Sequence, residues 1–365
     1  MKNLSILFLL ITFSCNQTID NSIKEKGGTK SNPISKTENK SICTLANDPT
    51  FIEAKDTFSI YGPQTITRSM LQDKNGIYWF ATWQGIISFD GKTFTNHTLK
   101  ENLGRHHVLS IFEDSKHTIW FGTINGGLYC YNNLNKNNTV SSFKHFSNID
   151  GLAGNSVMSI TEDRMGNVWF GTDNGISCYN GNMFSNYFPK PDDPKNTVYC
   201  ITQDYTGKLW FGTEDGIYYC HETNRKFMKE SSVYFRHVLA ILKDKDGCIW
   251  FGTTNGGVCK HNPSDIKNSF TYFDSKNGMN NNSVGCITQD KKGNIWFGGS
   301  VCKYDGKQFT SVKFLENQSS NNVFNIYEDQ THYLWFCTMN GVRRYVNSDF
   351  NESDKKEFTD FIAKN

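Results

Sequence analysis

Seven tryptophans recur in one local context: Trp79, Trp120, Trp169, Trp210, Trp250, Trp296 and Trp335. Each is followed by Phe and preceded, six residues earlier, by Asp: Asp73, Asp114, Asp163, Asp204, Asp244, Asp290 and Asp329. Neighbouring tryptophans stand 39–49 residues apart. A period near 40 residues marks a solenoid or a propeller. A chain of 365 residues would otherwise suggest two or three domains, but seven short units make one body.

One repeat, residues 155–187, divides into strands. Ser156–Glu162 is β-rich, Asp163–Gly166 is a tight turn, and Asn167–Thr172 is a second strand. Asp173-Asn-Gly175 is a hairpin turn that needs positive φ, followed by strands at Ile176–Tyr179 and Met183–Tyr187. Four short antiparallel strands make a propeller blade. The expected fold is therefore all-β, a seven-bladed β-propeller with four-stranded antiparallel blades. The repeated Asp caps its turn through backbone N–H groups ahead of it. The position three residues later is Gly in five repeats and His117 or His332 in the other two, and His also visits positive φ. A calcium reading of these Asp turns lacks the further oxygen ligands, so neither a metal nor a cofactor is expected. On a strand, Trp and Phe face opposite sides, and both sides of a blade are buried. Small residues near the start of each inner strand, such as Ser110 and Ala240, let the strands converge. Thr57–Tyr61 is expected to close the ring by completing the last blade, with a competing outer strand near Phe350.

The rest of the chain sets its context. Lys2 and the apolar run Leu4–Phe13 form a targeting segment, too short to span a membrane. Ser14-Cys15 at its end is similar to a bacterial lipoprotein signal, with Cys15 as the lipidated residue and the membrane anchor. Residues 1–15 are thus a signal segment, and 16–50 a polar linker. The propeller fills 51–350, and 351–365 is a C-terminal tail. The residues after Cys15 lack an acidic export cluster, which points to a cell-envelope protein on the outer membrane, facing the periplasm. The repeat-registered cysteines read as small buried filler rather than a disulfide frame. With 38 basic and 36 acidic residues, net charge +2 and no long basic run, nucleic acid is not an expected partner.

The repeats VMSITEDRMGNVWFGTDNGISCY and VYCITQDYTGKLWFGTEDGIYY resemble the two-component regulator propeller repeat over residues 65–346. That resemblance implies a sensor-type module. In the family, propellers form the periplasmic half of hybrid histidine-kinase systems, and many sense oligosaccharides. Two propellers usually precede an immunoglobulin-like domain, a membrane helix and a kinase. The present sequence has one set of seven repeats, so direct kinase signalling is not expected of it.

Ligands of propellers bind at a channel mouth. The residues entering each inner strand and the turn between second and third strands share one mouth. There the sequence breaks its own pattern. Trp83 is the one tryptophan outside the register. Arg105, His106 and His107 enter the second repeat, and Arg236 and His237 enter the fifth, where other repeats carry Asn, Ser or Thr. Glu214 and Asp215 occupy the fourth turn. Trp83 either stacks on a sugar ring, with nearby amides reading hydroxyls, or packs over the neighbouring loop. Most of the mouth asparagines are read as satisfying turns. The expectation is a non-catalytic ligand-binding or sensor propeller for an oligosaccharide or small molecule. The alternatives are a scaffold for an envelope protein partner and an enzyme similar to streptogramin lyases, with His107 or His237 as base.

Overall fold

The computed structural model describes residues 47–54, 56–132, 142–189, 196–265, 269–312, 322–345 and the backbone of 358–360. The signal segment, Cys15, most of the linker and the segment around Phe350 lie outside the described residues. Seven antiparallel sheets follow one another along the chain, and each is one repeat. Blade 1 contains β1 (Phe58–Ser59), β2 (Thr67–Gln72), β3 (Tyr78–Thr82), β4 (Gly85–Phe89) and β5 (Phe94–Asn96), in the sheet order β1-β5-β4-β3-β2. The six other blades have four strands each. The seven-bladed all-β propeller expected from the repeats is thus the observed fold.

The spacing of six between Asp and Trp has a direct cause. In every blade one carboxylate oxygen accepts from the indole Nε1–H of its own tryptophan, at 2.7–3.1 Å. The other oxygen accepts from the backbone N–H four residues ahead, at 2.8–3.0 Å. All seven aspartates are buried, so these bonds supply what water would otherwise supply. For Asp204, burial pushes the carboxyl up, but bonds from Thr206, Trp210 and Lys208 outweigh it and hold the carboxyl below its usual range. The turn-cap reading holds, and His117 (φ 62°) and His332 (φ 70°) adopt the left-handed backbone that glycine takes elsewhere.

The Trp-Phe pair works between blades. Each Trp packs on the Phe of the next blade, with ring centroids 5.4–6.3 Å apart. The seventh contact joins Trp335 to Phe80 and so links the last blade to the first. A second link recurs at five seams. The residue after the turn Asp donates its N–H to a Glu or Gln side chain of the next blade, at 2.6–3.0 Å. Between blades 7 and 1 this bond runs from Gln330 to Gln72, and Tyr78 adds its hydroxyl to Asp329 at 3.0 Å. The small inner-strand residue also meets the next blade: Ser110 Oγ donates to the Val157 carbonyl at 3.1 Å, and a Cβ on its neighbour Gly122 would lie 2.5 Å from that same carbonyl. All nine described cysteines carry free thiols, eight of them buried.

Ring closure differs from the sequence expectation. The amino-terminal strand β1 does not complete the last blade. It pairs with β5 on the outer edge of blade 1, as Phe58↔Thr95 and Ser59↔Phe94. The last blade takes its outer strand from Phe358–Asp360, which pairs with Gly341–Tyr345. That strand lies past Phe350, within the segment read as a tail. The chain downstream already covers the last blade's edge, so the incoming segment covers the nearest open edge, that of blade 1. The seam between first and last blades is closed by side chains rather than by a shared sheet.

Two measurements test this packing. Trp335→Ala should cost about 3–5 kcal/mol in equilibrium unfolding. It should also speed hydrogen exchange in Tyr78–Thr82 and Leu334–Thr338 more than in the strands of blade 4. The second concerns His97, buried in α1 (His97–Lys100) with Nε2 2.8 Å from Ser88 Oγ. Burial, and then Lys100, pull its pKa down to about 4. The unfolded chain takes up this proton near pH 6.5, so acid favours unfolding. The stability contributed by the neutral ring is complete above about pH 6.5 and is lost as pH falls to about 4, on the order of 3 kcal/mol. His97→Gln should flatten the slope of urea stability against pH across that window. An unchanged slope would contradict the assignment.

Candidate functional site

The residues before each inner strand and the turn between second and third strands meet at one mouth. Backbone bonds tie them: Trp83 N–H to Ile66 O at 3.0 Å, Ile124 N–H to His107 O at 2.8 Å and Asp173 N–H to Ser156 O at 3.0 Å. The turn carrying Trp83 is firmly held. Thr82 Oγ1 accepts from Gln84 N–H, and Asn96 Nδ2 donates to Gln84 O, both at 3.0 Å. Gly85 has φ 98°, and a Cβ there would collide with Thr98, so glycine is required for the turn to lie on α1.

Trp83 is half-buried. Its ring stacks on His107, with centroids 4.3 Å apart and planes 13° apart. Its indole nitrogen is buried without a hydrogen-bond partner, unlike the seven repeat tryptophans. His107 is itself covered by residues 47–54. Its Nδ1 lies 3.2 Å from Asp48 Oδ2, and its Nε2 lies 3.2 Å from Thr50 O. Both facing atoms are acceptors, which favours a doubly protonated ring. Burial opposes this more strongly than Asp48 supports it, so the pKa stays below its ordinary value. Arg105 joins the same strap. Its N–H donates to Asn47 Oδ1 at 3.0 Å, its carbonyl accepts from Asp48 N–H at 2.9 Å, and its Nε lies 2.6 Å from Glu53 Oε1. The Nε–H is not aimed at that oxygen, so the contact is an ion pair rather than an aligned hydrogen bond. The described chain therefore packs on the mouth from Asn47 onward, where the sequence suggested linker up to residue 50.

His106 is buried with Nδ1 unpartnered. Burial first, and then His145, hold its pKa below the ordinary value. The structure thus brings together Trp83, Arg105, His106 and His107 on blades 1 and 2.

The second predicted group forms on blades 4 and 5. His237 N–H donates to Glu214 O at 2.9 Å, and His237 has φ 50°. Arg236 is exposed. Asp215 Oδ2 pairs with Lys229 Nζ at 2.7 Å and accepts from the Tyr218 hydroxyl at 3.3 Å. Burial, and then Glu214, push the Tyr199 hydroxyl up to about 12. Several mouth asparagines do hold loops: Asn155 Oδ1 accepts from Asn148 N–H, and Asn282 Oδ1 from Ser275 N–H.

One ring of residues was missed in the sequence. In six blades the inner hairpin shifts register one residue before the repeat's small inner-strand position. A bulge of this kind re-aims the extra side chain. The residues at this position are Arg68, Leu109, Met158, Tyr199, Leu239 and Phe324, with Gly285 at the corresponding place in blade 6. The six side chains are partly exposed and Gly285 is exposed, as residues of the innermost strands facing the bore should be. The signal was one arginine in a register otherwise filled by apolar residues, tyrosine and glycine.

The two component regulator propeller model matches residues 61–84, 102–125, 151–174, 192–215, 235–255, 278–300 and 317–340. No curated protein matches the chain. Among solved structures, the chain is similar to the extracellular domain assigned to the hybrid two component system BT3049 of B. thetaiotaomicron. Identity is 22% and the TM-score 0.65, over 83% of this chain and 46% of that one. The chain thus spans less than half the length of that domain. A virginiamycin B lyase from Staphylococcus aureus, solved with quinupristin, is 17% identical with a TM-score of 0.59, over 78% of this chain and 97% of that one. PorZ of Porphyromonas gingivalis, a surface component of the type-IX secretion system, is 16% identical with a TM-score of 0.54, over 77% and 46%. At these identities the structures share the fold. The family match falls once on every blade, and the chain belongs to the two-component regulator propeller repeat family.

Proposed function

We propose that this protein is a non-catalytic, sensor-type propeller of the cell envelope that binds a small molecule or oligosaccharide at the mouth carrying Trp83. The observation that carries this reading is the state of Trp83. Seven tryptophans have their indole nitrogen bonded to an Asp of the same repeat, whereas Trp83 has none and is held by a stacked His107. A flat aromatic fixed at a concave mouth and partly open to solvent suits stacking on an apolar ring face. The fold shared with an extracellular domain of a two component system and the lipoprotein-like start of the chain support an envelope location. No helix among the described residues is long and apolar enough to cross a membrane.

The lyase reading draws less support. His107 is buried with an acceptor at each ring nitrogen, so it is poorly placed to take a proton from a substrate.

Trp83→Ala should remove ligand-induced thermal shifts in a glycan and metabolite screen while leaving the unliganded melting temperature within a few degrees. A ligand profile identical to wild type would contradict the proposal. His107→Ala should release residues 47–54, seen as faster hydrogen exchange there, and should weaken the same binding about tenfold or more through loss of the stacked support. Unchanged exchange in 47–54 would show that the histidine does not hold the strap.

A further inference from the structure

The bore-lining ring contains a cation with no charged partner. Arg68 lies between the first strand pair of blade 1 and the seam with blade 7. Its guanidinium carbon sits 4.6 Å from the centroid of Phe324, the ring residue of blade 7. Its Nε is buried without a hydrogen-bond partner. Among the described residues, none forms an ion pair or a hydrogen bond with its guanidinium. The side chain is enclosed by protein yet partly exposed, and burial pulls its pKa below the ordinary value, only partly offset by Cys286. In ring order, Phe324 of blade 7 stands between Arg68 of blade 1 and the corresponding position of blade 6. There the ring residue is Gly285, and a Cβ added to it would meet nothing within 4 Å. Beyond Phe324 the ring therefore carries no side chain at this position. The other ring residues are Leu109, Met158, Tyr199 and Leu239.

Enclosing a guanidinium without an anion is unfavourable. Its planar fork matches a carboxylate through two parallel hydrogen bonds. An apolar ring around one such fork suits a molecule with a carboxylate head and an apolar body. We propose that the bore is a binding site for a small organic carboxylate, with Arg68 gripping the head in the gap at Gly285 and the ring of Leu109, Met158 and Leu239 contacting the body. This site is separate from the Trp83 mouth and does not depend on it.

The test uses the full chain with 4-phenylbutyrate, its neutral amide and inorganic sulfate as probes, read by calorimetry and thermal shift. Wild type should bind the carboxylate at least about tenfold more tightly than the amide, as a charge-assisted pair implies. Sulfate alone, lacking an apolar body, should bind more weakly than the carboxylate. Arg68→Met should lose the preference for carboxylate over amide while keeping the near-UV circular dichroism of the wild type. Gly285→Phe should fill the gap and abolish binding of both organic probes. If Arg68→Met fails to fold, Arg68→Lys keeps the charge and loses the fork, and the preference should fall severalfold. Equal binding of carboxylate and amide by wild type, or no binding of either, would overturn the proposal. So would a preference that survives Arg68→Met, or one unchanged in Arg68→Lys. An Arg68→Met variant that is strongly destabilised, in a protein whose wild type melts alike with and without the probes, would assign Arg68 to the blade seam instead.

Discussion

The hydrogen bond from each repeat tryptophan to the aspartate six residues before it is the constraint from which the rest of the architecture follows. It joins the turn between the first two strands to the middle of the second strand. Two oxygens serve two purposes: one orders the turn, the other fixes the indole. A fixed indole can then present its ring to the next blade at a repeatable height. The Trp–Phe contacts inherit their regularity from that bond, and the spacing of six residues cannot drift without breaking it. A buried carboxylate deprived of this donor would leave an unsatisfied charge, which costs more than an ordinary lost contact.

The ring closes by the same means that join its other blades. Many small β-folds protect their edges by pairing distant strands, but here each sheet is made from one stretch of chain. The Trp335–Phe80 contact, the Gln330–Gln72 bond and the Tyr78–Asp329 bond make the last seam resemble the others. Seven matched seams spread the closure among many contacts of similar strength, as nearest-neighbour repeat packing does. The amino-terminal segment is thereby free for another role. It adds a strand to blade 1 and then straps the mouth through Asp48, Thr50 and Glu53.

The sequence carried the repeat, the blade and the turn because those depend on local spacing. Asp and Gly at fixed offsets specify turns, and Trp-Phe on one strand specifies two buried faces. Even His117 and His332 were legible as left-handed turn residues. Closure was not legible, because Thr57–Tyr61 can pair with either of two open edges, and the choice depends on a strand near residue 358 whose local pattern is weak. The Glu and Gln links between blades were missed for a related reason. They occupy the solvent-side end of the inner strand, where polar residues are ordinary. At the mouth, the pattern breaks at Trp83, Arg105, His106 and His107 were visible, and the structure places them together. The strap over His107 was not visible, since its polar composition reads as linker. Arg68 was overlooked because the register shift at its position leaves no mark in an alternating strand pattern, and an arginine among apolar residues stands out only when the repeats are aligned on that position.

Regularity here builds a frame, and departures from it mark positions under a different constraint. Trp83 is the tryptophan without a carboxylate, and Arg68 is the cation in an apolar ring. The indole region of a 1H–15N spectrum tests this division most directly, because each of the eight tryptophans gives one N–H signal. Seven signals should exchange slowly with solvent, and Asp204→Asn should move the Trp210 signal far more than the other six. Trp83 should stand apart, unaffected by changes at the turn aspartates. Fewer than seven protected indoles, or a Trp83 signal that responds to Asp204→Asn as Trp210 does, would contradict the account.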